Sequence, residues 1–64
     1  MIKMYFSIRK ASDGQYYFVI KSANNEVVAT SEPYHRKESA VKTIDSIRNG
    51  IHPDSVVVDV TDEP

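Results

Sequence analysis

At 64 residues the chain makes one small domain, and a domain of that size buries only roughly 60% of the surface its unfolded form exposes. An apolar content of 41% beside 27% charged residues is that of a folded globular protein, and apolar runs of only a few residues exclude a membrane-spanning helix. A formal net charge of −1 offers no large basic footprint to nucleic acid.

Small domains draw extra stability from disulfides, metals or a partner subunit. There is no cysteine, which removes disulfides and thiolate ligands, and His35 and His52 lack the neighbours that would complete a zinc site. A second subunit is the remaining source, so a homodimer is expected, with no metal and no cofactor. Met1 to Ser7 has neither the apolar core nor the small-residue cleavage site of a secretory leader, and a cytoplasmic protein is the expectation. The charge is unevenly placed. Residues 1–48 hold all eight Lys and Arg against five acids, a balance of +3, whereas residues 49–64 hold four acids and no base, a balance of −4. An acidic end can serve solubility alone; it can also lie across the basic body of another subunit.

Along the chain, Ile2 to Lys10 alternates, with Met4, Phe6 and Ile8 on one face and Tyr5, Ser7 and Arg9 on the other, the period of a half-buried strand. Ser12-Asp13-Gly14 then reads as a hairpin turn in which Gly14 takes positive φ. Gln15 to Ser22 is a second strand, with Tyr16, Phe18 and Ile20 on one face and Tyr17, Val19 and Lys21 opposite. Asn24-Asn25 makes the next turn, because asparagine tolerates the left-handed region. With those two residues at its centre, Ser22 opposes Val27 and Ile20 opposes Ala29. Val27 and Ala29 then face the core while Val28 and Thr30 point away, an assignment that a one-residue slip reverses.

Pro33 is expected to end the third strand, since it cannot donate to a ladder. A helix follows over about Arg36–Asn49, with Ala40, Val41, Ile44 and Ile47 on its apolar stripe. Glu38 stands four residues before Lys42, the favourable order for an exposed ion pair. His35 occupies the N-cap, a poor residue for it, with Glu38 as its capping-box partner, and Gly50 serves as C′. Proline keeps Ile51-His52-Pro53-Asp54 out of the helix. Val56, Val57, Val58 and Val60 then form a fourth strand, and Thr61 to Pro64 is expected to be disordered. Left at an edge, those valines are an aggregation hazard. They can fold back on their own sheet or cross to a second subunit, and composition does not choose between the two.

The segment Tyr16-x-Phe18-x-Ile20-Lys21-x-Ala23-Asn24-x-Glu26-Val27-Val28-Ala29-Thr30-Ser31-Glu32-x-Tyr34-x-x-Lys37-x-x-Ala40 resembles the signature of the YegP-like proteins, a family of unknown function. Tyr5-Phe6-x-Ile8 and Val58-x-Val60-Thr61 are compatible with it. The resemblance implies a β3-αβ unit, present singly or as tandem repeats, in which two units share one continuous sheet with their C-terminal strands exchanged. A single-unit chain is then expected to be a strand-exchanged homodimer. The family tends to have Gly where this chain has Asn25 and Pro33, and Ser or Thr where it has His35. It brings no established catalytic residues.

The residues show no catalytic constellation. Nucleophilic catalysis needs a nucleophile beside an oriented base, yet there is no Cys and no Gly-x-Ser-x-Gly elbow, and the acids are scattered. Two surfaces are worth following. One helix covers one face of a sheet, so the other, carrying Tyr5, Arg9, Tyr17, Val19, Lys21, Val28 and Thr30, is left as a possible binding face. Aromatics flanked by cations suit single-stranded nucleic acid, although these residues also simply suit strands. Ser31, Glu32, Tyr34 and Lys37 cluster at the elbow before the helix, where they either form a small polar pocket or tie the elbow down.

The expected fold is therefore α+β, a β-β-β-α-β unit with one helix on one face of an antiparallel sheet. The domain spans residues 1–61 with a disordered acidic tail over 62–64, and Val56, Val57, Val58 and Val60 form the dimer interface. The expected function is that of a non-enzymatic structural or interaction module. Weak single-stranded nucleic-acid binding is the alternative.

Overall fold

The structure, a computed structural model, describes residues 3–62. Met1, Ile2, Glu63 and Pro64 lie outside the described residues, and with them the start of the predicted alternation and the end of the predicted tail. The elements run β1 (Tyr5–Lys10), β2 (Tyr16–Lys21), β3 (Val27–Thr30) and α1 (Lys37–Gly50). The three strands form one antiparallel sheet in the order β1-β2-β3. This is the α+β arrangement the patterning predicts.

The two hairpins are built alike. In each, a three-residue loop closes with the third loop residue in the left-handed region. In the first, Gly14 N–H donates to the Ala11 carbonyl at 3.0 Å and Gly14 has φ 87°. In the second, Asn25 N–H donates to the Ser22 carbonyl at 3.0 Å and Asn25 has φ 70°. Asn25 therefore does what Gly14 does, at the cost of a Cβ. The centre of the second turn is Ala23-Asn24 rather than Asn24-Asn25, and Ser22 faces Glu26 instead of Val27, with Ser22 N–H donating to the Glu26 carbonyl at 2.8 Å.

That shift has a consequence in β3. Ile20 opposes Ala29 as predicted, but Lys21 opposes Val27, so Val28 is an extra residue in a β-bulge. The expected faces of Val27 and Val28 are exchanged as a result. Val27 lies across from Lys21 on the face away from the helix, and Val28 lines a groove on the helix side.

A second irregularity follows. Pro33 does not end the pairing but sits in a detour of the strand. Beyond it Tyr34 pairs again with Tyr16 through two backbone bonds of 2.7 and 2.8 Å. Tyr34 is thereby laid against the core, stacked on Phe18 with ring centroids 6.4 Å apart and planes 7° from parallel. Phe6 meets Phe18 edge-on at 5.9 Å.

The helix covers this cluster with Ala40, which is wholly buried, and Ile44, with Ile47 partly buried beside them. The spacing i, i+4, i+7 makes that stripe. Val41 stands about 100° round from Ala40 and is 38% exposed, so it falls off the stripe it was expected to join. Both helix ends differ from expectation. The N-cap is Arg36, in extended conformation and with no side-chain cap, and not His35. Glu38 pairs with Arg36 at 3.5 Å, which leaves the expected bond to Lys42 unmade. Gly50 stays in the helix, and the chain leaves at Ile51 (φ −81°, ψ 136°), whose N–H reaches the Ile47 carbonyl. Among the described residues only Phe18, Val19, Ala40 and Ile44 are buried, the thin core that so short a chain was expected to have.

The predicted fourth strand is absent from the ladder. Residues 55–60 pair with no strand, and Val56, Val57, Val58 and Val60 are 85%, 92%, 76% and 55% exposed. A strand is defined by the hydrogen bonds of a neighbour, and the single chain does not bring one to this segment. The arm stands off the body. The radius of gyration is 14.0 Å, where a compact chain of this length measures about 11 Å.

Candidate functional site

An apolar groove lies at the end of the sheet where β1 begins and α1 finishes. Phe6 comes to it from β1 and Met4 from the position just before that strand, and Ile20 and Val28 come from β2 and the bulge of β3. Ile47 and Ile51 supply the helix wall, one turn apart, and Arg48 and Tyr5 complete the rim. The space is about 380 Å³. Ile51 is 66% exposed and Met4 57%, so large apolar side chains stand in water on both sides of it. The residue pattern alone places Phe6, Ile20 and Ile47 in the core and Ile51 in the linker. Its signal was present, since Ile51 continues the stripe of Ile44 and Ile47 by one more turn.

The arm starts where the groove ends. After Ile51 the chain makes a turn in which Ser55 N–H donates to the His52 carbonyl at 2.8 Å, and His52 N–H donates to Ser55 Oγ at 2.9 Å. Asp54 N–H donates to His52 Nδ1 at 3.3 Å. The linker is thus a formed turn that carries the valines away from the helix. At the far end Thr61 N–H and Oγ1 both donate to Asp59 Oδ1, at 2.9 and 2.7 Å. Those two bonds, the backbone one first, hold the Asp59 carboxyl below its ordinary value of 3.8.

The sheet face away from the helix is narrower than the alternation suggests. Val19, at the centre of β2 between Ser7 and Thr30, is only 3% exposed, ringed by the long side chains of Tyr5, Arg9, Tyr17 and Lys21. Tyr5 Oη donates to Asn25 Oδ1 at 2.6 Å, tying β1 to the second turn. Val28 has left for the groove. Tyr17, Arg9, Lys21 and Thr30 remain as its accessible part.

At the elbow, Ser31 Oγ accepts a hydrogen bond from the Phe18 N–H at 2.9 Å and Tyr34 pairs with Tyr16, while Glu32 and Lys37 are exposed. The groove lies at the other end of the helix. Among the described residues no group of three metal-ligating side chains comes together. No helix among them is long and apolar enough to cross a membrane.

A family model described as a domain of unknown function, DUF1508, matches residues 11–57. The chain belongs to this YegP-like family. The UPF0339 protein YegP of Escherichia coli is 47% identical over 45 residues, 70% of this chain and 41% of that protein. A UPF0339 protein of Pseudomonas aeruginosa is 46% identical over 43 residues, 67% of this chain and 39% of that one. The stretch shared with these YegP-like relatives spans about two fifths of their length. The fold is similar to the solution structure of a protein from Haloferax volcanii, with a TM-score of 0.74 and 25% identity over 92% of this chain and 98% of that one. None of these proteins carries a described activity in its name.

Proposed function

We propose that this YegP-like chain is a non-enzymatic assembly module that forms a homodimer by exchanging its C-terminal segment. The observation that carries the reading is the position of Val56, Val57, Val58 and Val60. Four valines stand in water on a formed turn, beside a sheet with two open edges. Burying such a side chain stabilises by roughly 1.5–3 kcal/mol, which is large against the stability a small core supplies.

In this reading the cellular role lies in what the pair presents or holds and not in a reaction. Light scattering at low micromolar concentration is expected to give twice the chain mass of 7.2 kDa. Cutting the chain after Asn49 is expected to unfold it or destabilise it strongly. A truncated chain that stays folded and monomeric, with an unchanged midpoint in urea, would overturn the proposal.

A further inference from the structure

The sheet has two open edges, β1 and β3, and nothing in the exchange itself says which of them receives the arm. We infer that β1 of a second copy is the receiving edge, an assignment that rests on the exchange proposed above. Three independent features of the two edges favour it.

The first is charge. The arm carries Asp54, Asp59 and Asp62 and no Lys or Arg. Strand β1 ends in Arg9 and Lys10 and is preceded by Lys3, with no acid between them. Strand β3 is flanked by Glu26 and Glu32 with no cation between them. An acidic arm is drawn to one edge and repelled by the other, and like charges juxtaposed across a pairing suppress the wrong choice.

The second is regularity. A strand can be added only to an edge that offers an even row of N–H and C=O groups. Strand β1 pairs with β2 over six consecutive positions without a shift. Strand β3 has four residues, a bulge at Val28 and a detour at Pro33 before its last bridge. Bulges and proline are devices that close an edge to further pairing.

The third is the uncovered apolar surface beside the edge. On the helix side at β1, Met4 is 57% exposed and Ile8 39% exposed, although the helix packs against both β1 and β2. An added strand would lay every second valine over them, continuing the groove wall. The valines exposed on β3 are split to opposite faces by the bulge and make no such row.

The chain has no cysteine, so single-cysteine variants report on one position each. The test mixes Val58→Cys with Ser7→Cys, on β1, or with Thr30→Cys, on β3, and treats each mixture with a short bis-maleimide. Because each chain has one thiol, the heterodimer records contact between copies only. Crosslinking of the β1 mixture several-fold above the β3 mixture is the expected result. A dominant β3 product would overturn the edge assignment and leave the exchange standing. If neither mixture crosslinks and light scattering shows monomers, the exchange itself fails. A second measurement guards against misfolded variants. Arg9→Glu with Lys10→Glu is expected to weaken dimerisation by about tenfold or more at low salt, with recovery on adding Asp59→Lys. No weakening in a folded variant, or no recovery, would count against β1.

Discussion

The hydroxyl of Ser31 accepts a hydrogen bond from the backbone N–H of Phe18 at 2.9 Å, standing in for a carbonyl that the ladder lacks at that point. The neighbouring Ser31 N–H donates to the Phe18 carbonyl at 2.9 Å, so one residue closes both backbone groups of Phe18. Ser31 Oγ in turn donates to the Glu32 carbonyl at 2.8 Å. The strand can therefore leave the ladder at Pro33 and return at Tyr34 without orphaning a donor beside the core. Tyr34 reaches Phe18 because of that detour.

Ser31→Ala is expected to destabilise the fold by about 1–2 kcal/mol, since it strands the Phe18 N–H in a part-buried place. Ser31→Thr keeps the oxygen and should lose much less. Urea denaturation of the two variants checks the difference, and equal midpoints would show that water replaces the hydroxyl without loss.

The turns make a matched pair for substitution. A Cβ on Gly14 meets nothing within 4 Å, so the cost of Gly14→Ala comes from its φ of 87° alone, about 1 kcal/mol. Asn25→Gly relieves the backbone at φ 70° but removes the acceptor of Tyr5 Oη, and the two effects, each about 1 kcal/mol, nearly cancel. Combining Asn25→Gly with Tyr5→Phe removes both ends of the bond, so the double variant is expected to be at least as stable as Tyr5→Phe alone. A double variant clearly less stable than Tyr5→Phe would show that Asn25 holds the turn by other means.

Ala40 is wholly enclosed between the helix and the Phe18 cluster. Ala40→Leu overfills that space and is expected to cost about 1–3 kcal/mol, enough to unfold a chain with so small a core. Val41→Leu, one residue on and 38% exposed, should change stability by less than about 0.5 kcal/mol. Thermal melts followed by circular dichroism separate them.

Asp59 titrates below its ordinary value because its charged form accepts two bonds from Thr61. A carboxyl held low contributes to the local turn at pH above its unfolded value, and that contribution is lost as pH falls through the lower, folded value. Nuclear magnetic resonance of the side-chain carboxyl is expected to give a midpoint below 3.8. Thr61→Ala should move it part of the way back, because the backbone bond, the larger cause, remains.

Much of this architecture is legible in the residue pattern. The alternation of Met4, Phe6 and Ile8 against Tyr5, Ser7 and Arg9, the turn chemistry of Asp13-Gly14 and the stripe of Ala40, Ile44 and Ile47 each depend on neighbours along the chain. Propensity and period act locally, so three strands and a helix can be read from them. The face on which Val27 and Val28 lie is different. One inserted residue inverts a period of two, and whether it is inserted is decided by which carbonyl of β2 each N–H meets. The same holds for Pro33, expected to end pairing, which is carried across a gap by Ser31. The groove was half legible, because Phe6, Ile20 and Ile47 were apolar on the right faces, but Val28 and Ile51 join them only in three dimensions. The last valines mark the limit of what one chain decides. Their β-prone sequence asks for a ladder, and backbone hydrogen bonds need a second strand, which the folded body of this chain does not turn towards them.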